Sequence, residues 1–256
     1  MNRIFIIWTA ACLLTMSGAT GARALDLTYL IYPGQVQPLQ ISQPGQPMHS
    51  GVITDIVKAI FAQQPYRLKT LMAPAQRMQR MREQGEVHHW LTYGAEPWLI
   101  DGARLSQTPL FDWRHVLITR RDIEVNQWND LASVHLLLVR GYDYPQLQSY
   151  LSEQSDENVR FRISYVASPA HALRMLQKGR GDAYLDIDLR LQYHLRQLNM
   201  RANDYVIQSL SHLIPTIQMY LMYDGHLPEE AQHWLEYRLA ELAQTGELKR
   251  IVDTYR

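Results

Sequence analysis

Cysteine is almost missing from this chain: 256 residues contain one, Cys12. It lies in an apolar stretch from Ile4 to Met16, behind a short positive start at Asn2 and Arg3 and ahead of the small-residue run Ala22-Arg23-Ala24. That three-part pattern reads as a secretory signal (residues 1–24) cleaved after Ala24. The apolar stretch is too short for a permanent anchor, although an uncleaved anchor is the alternative. A lipoprotein signal needs its cysteine at the cleavage point, and Cys12 stands inside the apolar stretch. The cleaved chain would hold no thiol. Disulfides, thiolate metal ligands and a cysteine nucleophile are excluded together.

Lysine is also scarce, 4 residues against 21 arginines. The planar arginine fork suits carboxylate and phosphate groups, but a GC-rich genome gives the same bias. Charge of one sign is lacking: 25 basic side chains face 25 acidic ones, and cleavage would remove Arg3 and Arg23 from the basic set. Nothing in that balance points to nucleic acid or a membrane surface. No Gly-x-Ser-x-Gly elbow and no glycine-rich phosphate loop is present, so neither nucleophilic catalysis nor a nucleotide cofactor is indicated. The ten histidines contain no His-x-x-x-His. His88 and His89 fall on an expected strand, where neighbours face opposite ways. No metal and no cofactor is expected. Met78, Met81, Met219 and Met222 read as flexible core filling.

Residues 25–256 suffice for one large domain or two modest ones, and no repeat divides them. Leu25 to Tyr32 reads as a strand. A proline- and glycine-rich loop follows to Gly51, and then Val52, Ile53, Ile56, Val57, Ile60 and Phe61 recur at helical spacing. Strands are expected at Tyr66–Met72, His88–Tyr93, Phe111–Thr119, Val134–Val139, Val159–Val166, Asp182–Ile187, Asp204–Leu210 and Thr216–Tyr223. Helices are expected from Pro74 to Gly85, Pro145 to Gln154, Ser168 to Gly179, after Ile187 through Leu198, from Pro228 to Thr245, and a last one from Glu247. The almost wholly apolar Val134–Val139 is a strand covered on both faces. The alternation describes an α/β protein with parallel sheets.

Six segments in order resemble one family. They are Gly51-Val-Ile-Thr-Asp-Ile-Val, Ser106-Gln-Thr-Pro-Leu, Trp128-Asn-Asp-Leu, Val139-Arg-Gly-Tyr, Ala172-Leu-Arg-Met-Leu-Gln-Lys-Gly-Arg-Gly-Asp-Ala and Gly246-Glu-Leu-Lys-Arg-Ile. The chain resembles the bacterial extracellular solute-binding proteins of family 3, the amino-acid-binding type. The resemblance implies a type II periplasmic binding protein fold: two α/β lobes joined by two crossing strands, with a ligand cleft between them. Lobe one would hold residues 25–118 and 219–256, and lobe two residues 119–218. It further implies a periplasmic monomer that closes on a small polar, amino-acid-like or carboxylate-bearing ligand. Its partners would be the membrane subunits of an ABC importer, or a membrane receptor in a sensing role.

The chain departs from that family where ligand chemistry is decided. The family's Thr-x-x-Arg is replaced by Thr92-Tyr-Gly-Ala-Glu-Pro-Trp, and its strand-end aspartate falls at Ile187, between Asp186 and Asp188. Arg77, in Pro74-x-x-Arg77, is either a substitute anion anchor or a solvated arginine. Tyr32 and Tyr93 stand at strand ends that face such a cleft, as stacking surfaces or as ordinary strand-end tyrosines. Glu96 either pairs with a ligand amine or is a solvated loop carboxylate. Gly141, Tyr142 and Asp143 form a turn whose N–H groups suit an anion, though Asp143 equally suits a helix cap. Ser168 touches ligand or only caps its helix, and Asp186 would hold a cationic group if the register shifts by one. A dehydratase on the same fold, with Glu96 or Asp143 as its acid, is the enzymatic alternative to a chain with no catalytic residue.

Overall fold

Apolar side chains that recur every three to four residues need a sheet to cover, and the first helix finds one beside the first strand. The computed structural model describes residues 25–34, 36–42, 49–62, 65–120, 123–142, 144, 147 and 162–256. In it β1 (Asp26–Ile31) leads to α1 (Val52–Phe61), which buries all six of its periodic apolar residues. Strand β2 (Arg67–Met72) then runs parallel to β1. Helix α2 (Ala75–Glu83) follows Pro74 and delivers β3 (Trp90–Gly94), parallel to β1 on its other side. β4 (Ala103–Trp113) and the late strand β10 (Ile217–Asp224) complete a sheet of order β2-β1-β3-β10-β4.

The chain changes sheet at Arg114. β5 (His115–Thr119) pairs with β8 (Ala183–Ile187) and β9 (Val206–Ser209), and β6 (His135–Val139) joins β7 (Arg162–Val166) to β8. The second sheet therefore has the order β7-β6-β8-β5-β9. Two helices cover it, α3 (Pro169–Gln177) and α4 (Asp188–Gln197). The chain returns to the first sheet between Ser209 and Ile217, and α5 (Glu229–Gln244) and α6 (Glu247–Thr254) pack there beside α1.

Several expectations change. The expected strand Phe111–Thr119 is two strands of different sheets, because Phe111 pairs with Met219 while Val116 pairs with Asp186 and Ser209. Thus His115–Thr119, which the sequence reading divides between the lobes, pairs wholly within the second sheet. The sheets are mixed rather than parallel. β10 runs antiparallel to β3 and β4, and β5 antiparallel to β8 and β9, as strands that follow the two crossings. β3 begins at Trp90, which leaves His88 and His89 in the preceding turn, His89 at φ 50°. The opposite-face argument therefore does not apply to them. Among the described residues no group of three or more His, Cys, Asp or Glu could hold a metal. The expected signal segment and the helix expected at Pro145–Gln154 lie outside the described residues, apart from Leu147.

β6 shows why an apolar run marks a strand covered twice. Leu136 and Leu138 enter one buried cluster with Leu185, and Leu137 and Val139 enter another with Leu173 and Leu176 of α3. Each such leucine contributes about 1.5–3 kcal/mol by leaving water. α3 starts where its sequence says: Ser168 Oγ accepts the His171 N–H at 3.2 Å, Pro169 takes the first helical position, and Gly179 follows at φ 67°.

Candidate ligand site

β8 runs directly into α4, and that junction builds the floor of a cavity. Asp186, next to last in the strand, is only 2 % exposed. Its Oδ1 accepts the Ile187 N–H at 2.7 Å and the Arg190 Nε–H at 2.5 Å, and Arg190 Nη2 is ion-paired to the same oxygen. Tyr184, two residues earlier on the same face of the strand, donates its hydroxyl to Oδ2. The Arg190 guanidinium lies over the Tyr142 ring, 4.1 Å from its centroid, a cation–π contact. Burial disfavours the Arg190 charge, but Asp186, Tyr184 and Tyr142 together outweigh it and hold the pKa above the usual arginine range.

Tyr142 reaches this place because Gly141 turns the chain out of β6 at φ 85°. No atom lies where a Gly141 Cβ would stand, so the backbone angle and not space calls for glycine. Tyr144 packs behind, its hydroxyl accepting the Val139 N–H at 3.1 Å. Burial pushes the phenol pKa of both tyrosines up, which keeps them neutral. His115 opens β5, and its Nδ1 is buried without a hydrogen-bond partner. Burial lowers the His115 pKa, more than nearby Asp186 raises it, so the imidazole is neutral at physiological pH.

The first sheet supplies the facing wall. Tyr93, at the end of β3, meets Tyr32 edge to face at 6.3 Å, and burial pushes its phenol up as well. Trp98, in the 3-10 turn Glu96–Trp98, packs edge to face on Trp113 of β4 at 5.4 Å. Together these groups enclose about 430 Å³ between the sheets, closed by Ile187, Ile214 and Ile217. A larger groove of about 830 Å³ lies beside α2, lined by residues such as Arg82, His88 and His226. All of its walls come from the first sheet's side of the molecule, whereas the smaller cavity draws on both.

Of the residues singled out from sequence, Tyr93, Gly141, Tyr142 and Asp186 line this cavity. Tyr32 stands one ring behind, against Tyr93. Glu96 is exposed, while its neighbours Pro97 and Trp98 form wall. Arg77 is exposed on α2 and is not a lining residue. Ser168 caps α3 away from the lining, and Asp143 lies outside the described residues. The sequence reading passed over Trp98, Trp113, Tyr144, His115 and Arg190. A tryptophan after proline in a loop is a signal for the first. Asp186-x-x-x-Arg190 is a signal for the last.

No protein-family model and no curated protein sequence matches the chain. Solved structures do. An ancestral cationic amino acid solute-binding protein superposes with a TM-score of 0.67 at 12 % identity, over 90 % of this chain and 95 % of its own. The second substrate-binding domain of GlnP from Lactococcus lactis, in an open conformation, gives 0.63 at 16 %, over 90 % and 94 %. The substrate-binding protein of an amino acid ABC transporter gives 0.58 at 16 %, over 90 % and 98 %. The fold is that of the type II periplasmic binding proteins. In this fold Tyr32, Tyr93, Tyr142 and Asp186 all lie at or just beyond carboxyl ends of strands, where open α/β sheets present ligand sites.

Proposed function

We propose that this chain is an exported solute-binding protein that captures a small, amino-acid-sized molecule between its lobes and passes it to the membrane subunits of an ABC importer. One observation carries the reading: the cavity takes its walls from both sheets, so a ligand within it would touch both lobes and favour their closed arrangement. Its volume of about 430 Å³ is that of a small-molecule pocket. Solved structures of similar fold described as substrate-binding parts of ABC transporters support the importer as the partner. Tyr93, Gly141, Tyr142 and Asp186 are proposed as contacts, with Tyr32 supporting Tyr93. The N-terminal export pattern supports a periplasmic location, and no helix among the described residues is long and apolar enough to cross a membrane. Binding without turnover is the favoured reading, since the one described acid lining the cavity is held by Arg190.

A thermal-shift screen of the purified mature chain tests this. Candidates are amino acids, polyamines, organic acids, small peptides and neutral aromatics. A ligand bound by the folded state alone adds about 2.7 kcal/mol of stability at 100 times its Kd. A shift that survives Arg77→Ala but is lost in Tyr142→Ala places binding in the cavity. A shift lost in Arg77→Ala moves the anchor to α2. No shift with any compound would sink the solute-binding reading.

A further inference from the structure

From the sequence, Asp186 is an acid that could receive a ligand's cationic group, but the chain supplies that cation itself. Asp186 is taken up by Arg190, the Tyr184 hydroxyl and the Ile187 N–H. An incoming ammonium would have to displace a guanidinium that is only 5 % exposed and leave it buried without its counter-charge. At this point lobe two meets the cavity with a guanidinium already anchored from behind.

A guanidinium is planar and carries N–H donors along two edges that suit a carboxylate. Asp186 Oδ1 lies 2.5 Å from Nε and is ion-paired to Nη2, so it occupies one edge. The plane of the group puts the other edge, Nη1 with the outer N–H of Nη2, on the side away from Asp186. Tyr142 covers a face, its ring centroid 4.1 Å from Cζ, and a ring on a face leaves that edge open. Arg190 itself lines the cavity. Its helix starts at the same wall: Ile187, the N-cap of α4, lines the cavity and has no side-chain oxygen for the first N–H groups. A helix N-terminus carries partial positive charge. The acid of that first turn, Asp188, is paired with Arg114 at 2.8 Å. Rings from both lobes surround this floor, with Tyr93, Trp98 and Trp113 on one side and Tyr142 and Tyr144 on the other.

We propose that Arg190 is the anion anchor of the cleft. Its Nη1/Nη2 edge, held in place by Asp186 and aided by the α4 N-terminus, takes the acid group of an aromatic carboxylate whose ring packs on the aromatic walls. The carboxylate of the ligand then points to lobe two. The inference rests on the reading of this cleft as a solute site, and it moves the anchor from Arg77 on α2, expected from sequence, to α4.

Three congeners of one ring test this by calorimetry on the full mature chain: para-hydroxyphenylpropionate, para-ethylphenol and tyramine. The carboxylate is expected to bind at least about tenfold more tightly than either of the others, as charge-assisted hydrogen bonds at one guanidinium edge would give. Asp186→Asn keeps the guanidinium and frees its second edge, so the preference should persist or grow. Asp186→Asn/Arg190→Met removes the anchor without leaving a buried charge, and the acid and the neutral phenol should then bind within about twofold of each other. Both variants break the same ion pair, so a purely structural role of Arg190 would not separate them in this ratio. Circular dichroism confirms folding of each. If the double variant does not fold, the wild-type series and Asp186→Asn decide. A carboxylate bound no more tightly than para-ethylphenol, a preference lost in Asp186→Asn, or one that survives in the folded double variant would each overturn the inference and leave the solute-binding reading intact. So would binding of another member of the screening panel with none of the three congeners. Failure of the three and of the whole panel would overturn the solute-binding reading itself.

Discussion

Arg190 and Asp186 show how a residue can be visible in a sequence while its role is not. Asp186 reads as a strand-end carboxylate from its place after Gly179-Arg-Gly-Asp-Ala. Its partner lies four residues on, a spacing that normally signals a pair on one helix. Here the pair spans a strand-to-helix junction, so the acid is held in the sheet while the arginine turns back from the first turn of α4. Removing one member of a buried pair leaves the other uncompensated, and that costs about 3–5 kcal/mol. Arg190→Met should lose that much in urea denaturation at pH 7. The double variant Asp186→Asn/Arg190→Met should recover most of it, because a neutral pair of similar volume needs no counter-charge. A single-variant loss below about 1 kcal/mol would mean that the pair does not hold the β8–α4 junction.

Elements with a strong period and a cap were legible. α1 and α3 begin and end close to where their apolar spacing, Ser168-Pro169 and Gly179 place them, and Ser168→Ala should lower stability by about 1 kcal/mol in the same urea assay. The join between β4 and β5 was not legible. Phe111 to Thr119 is locally one extended run, and only long-range pairing assigns its halves to different sheets. The aromatic walls escaped notice for a similar reason: Trp98 and Trp113 are neighbours only after β4 has folded back. α4 also carries a pH dependence that its sequence hides. Burial lowers the His194 pKa to about 4, and it lowers those of His115 and His135 as well. A histidine depressed in the folded state binds its proton first in the unfolded chain, so its stabilising contribution is whole above pH 6.5 and fades as pH falls. Between about pH 6.5 and 4.5 the protein should lose stability, by up to about 3 kcal/mol from His194. His194→Gln should flatten that slope in urea titrations at stepped pH. An unchanged slope would assign it to other groups.

At the scale of the molecule, α4 joins what the sheets separate. By chain order and strand contact it belongs to the second sheet, yet Leu189 is buried in the core cluster of the first, with Leu248 and Ile251 of α6. Around it, Arg196 Nη2 donates to the Thr254 carbonyl at 2.9 Å, and Tyr193 lies 6.5 Å from Tyr255. Arg114, at the crossing itself, pairs with Asp188 at 2.8 Å. Arg190 in the floor of the cavity and Leu189 at the centre of this contact are thus neighbours in the first turn of one helix. Leu189→Ala removes the apolar centre of the contact and should cost about 2–5 kcal/mol. Because that centre is shared, the loss should appear as one earlier transition in which tryptophan fluorescence and far-UV circular dichroism still coincide. If the two signals separate in the variant but not in the parent, Leu189 is what makes the lobes unfold as one. If they separate in both, the lobes are independent, and a ligand bound to one would leave the other's stability untouched.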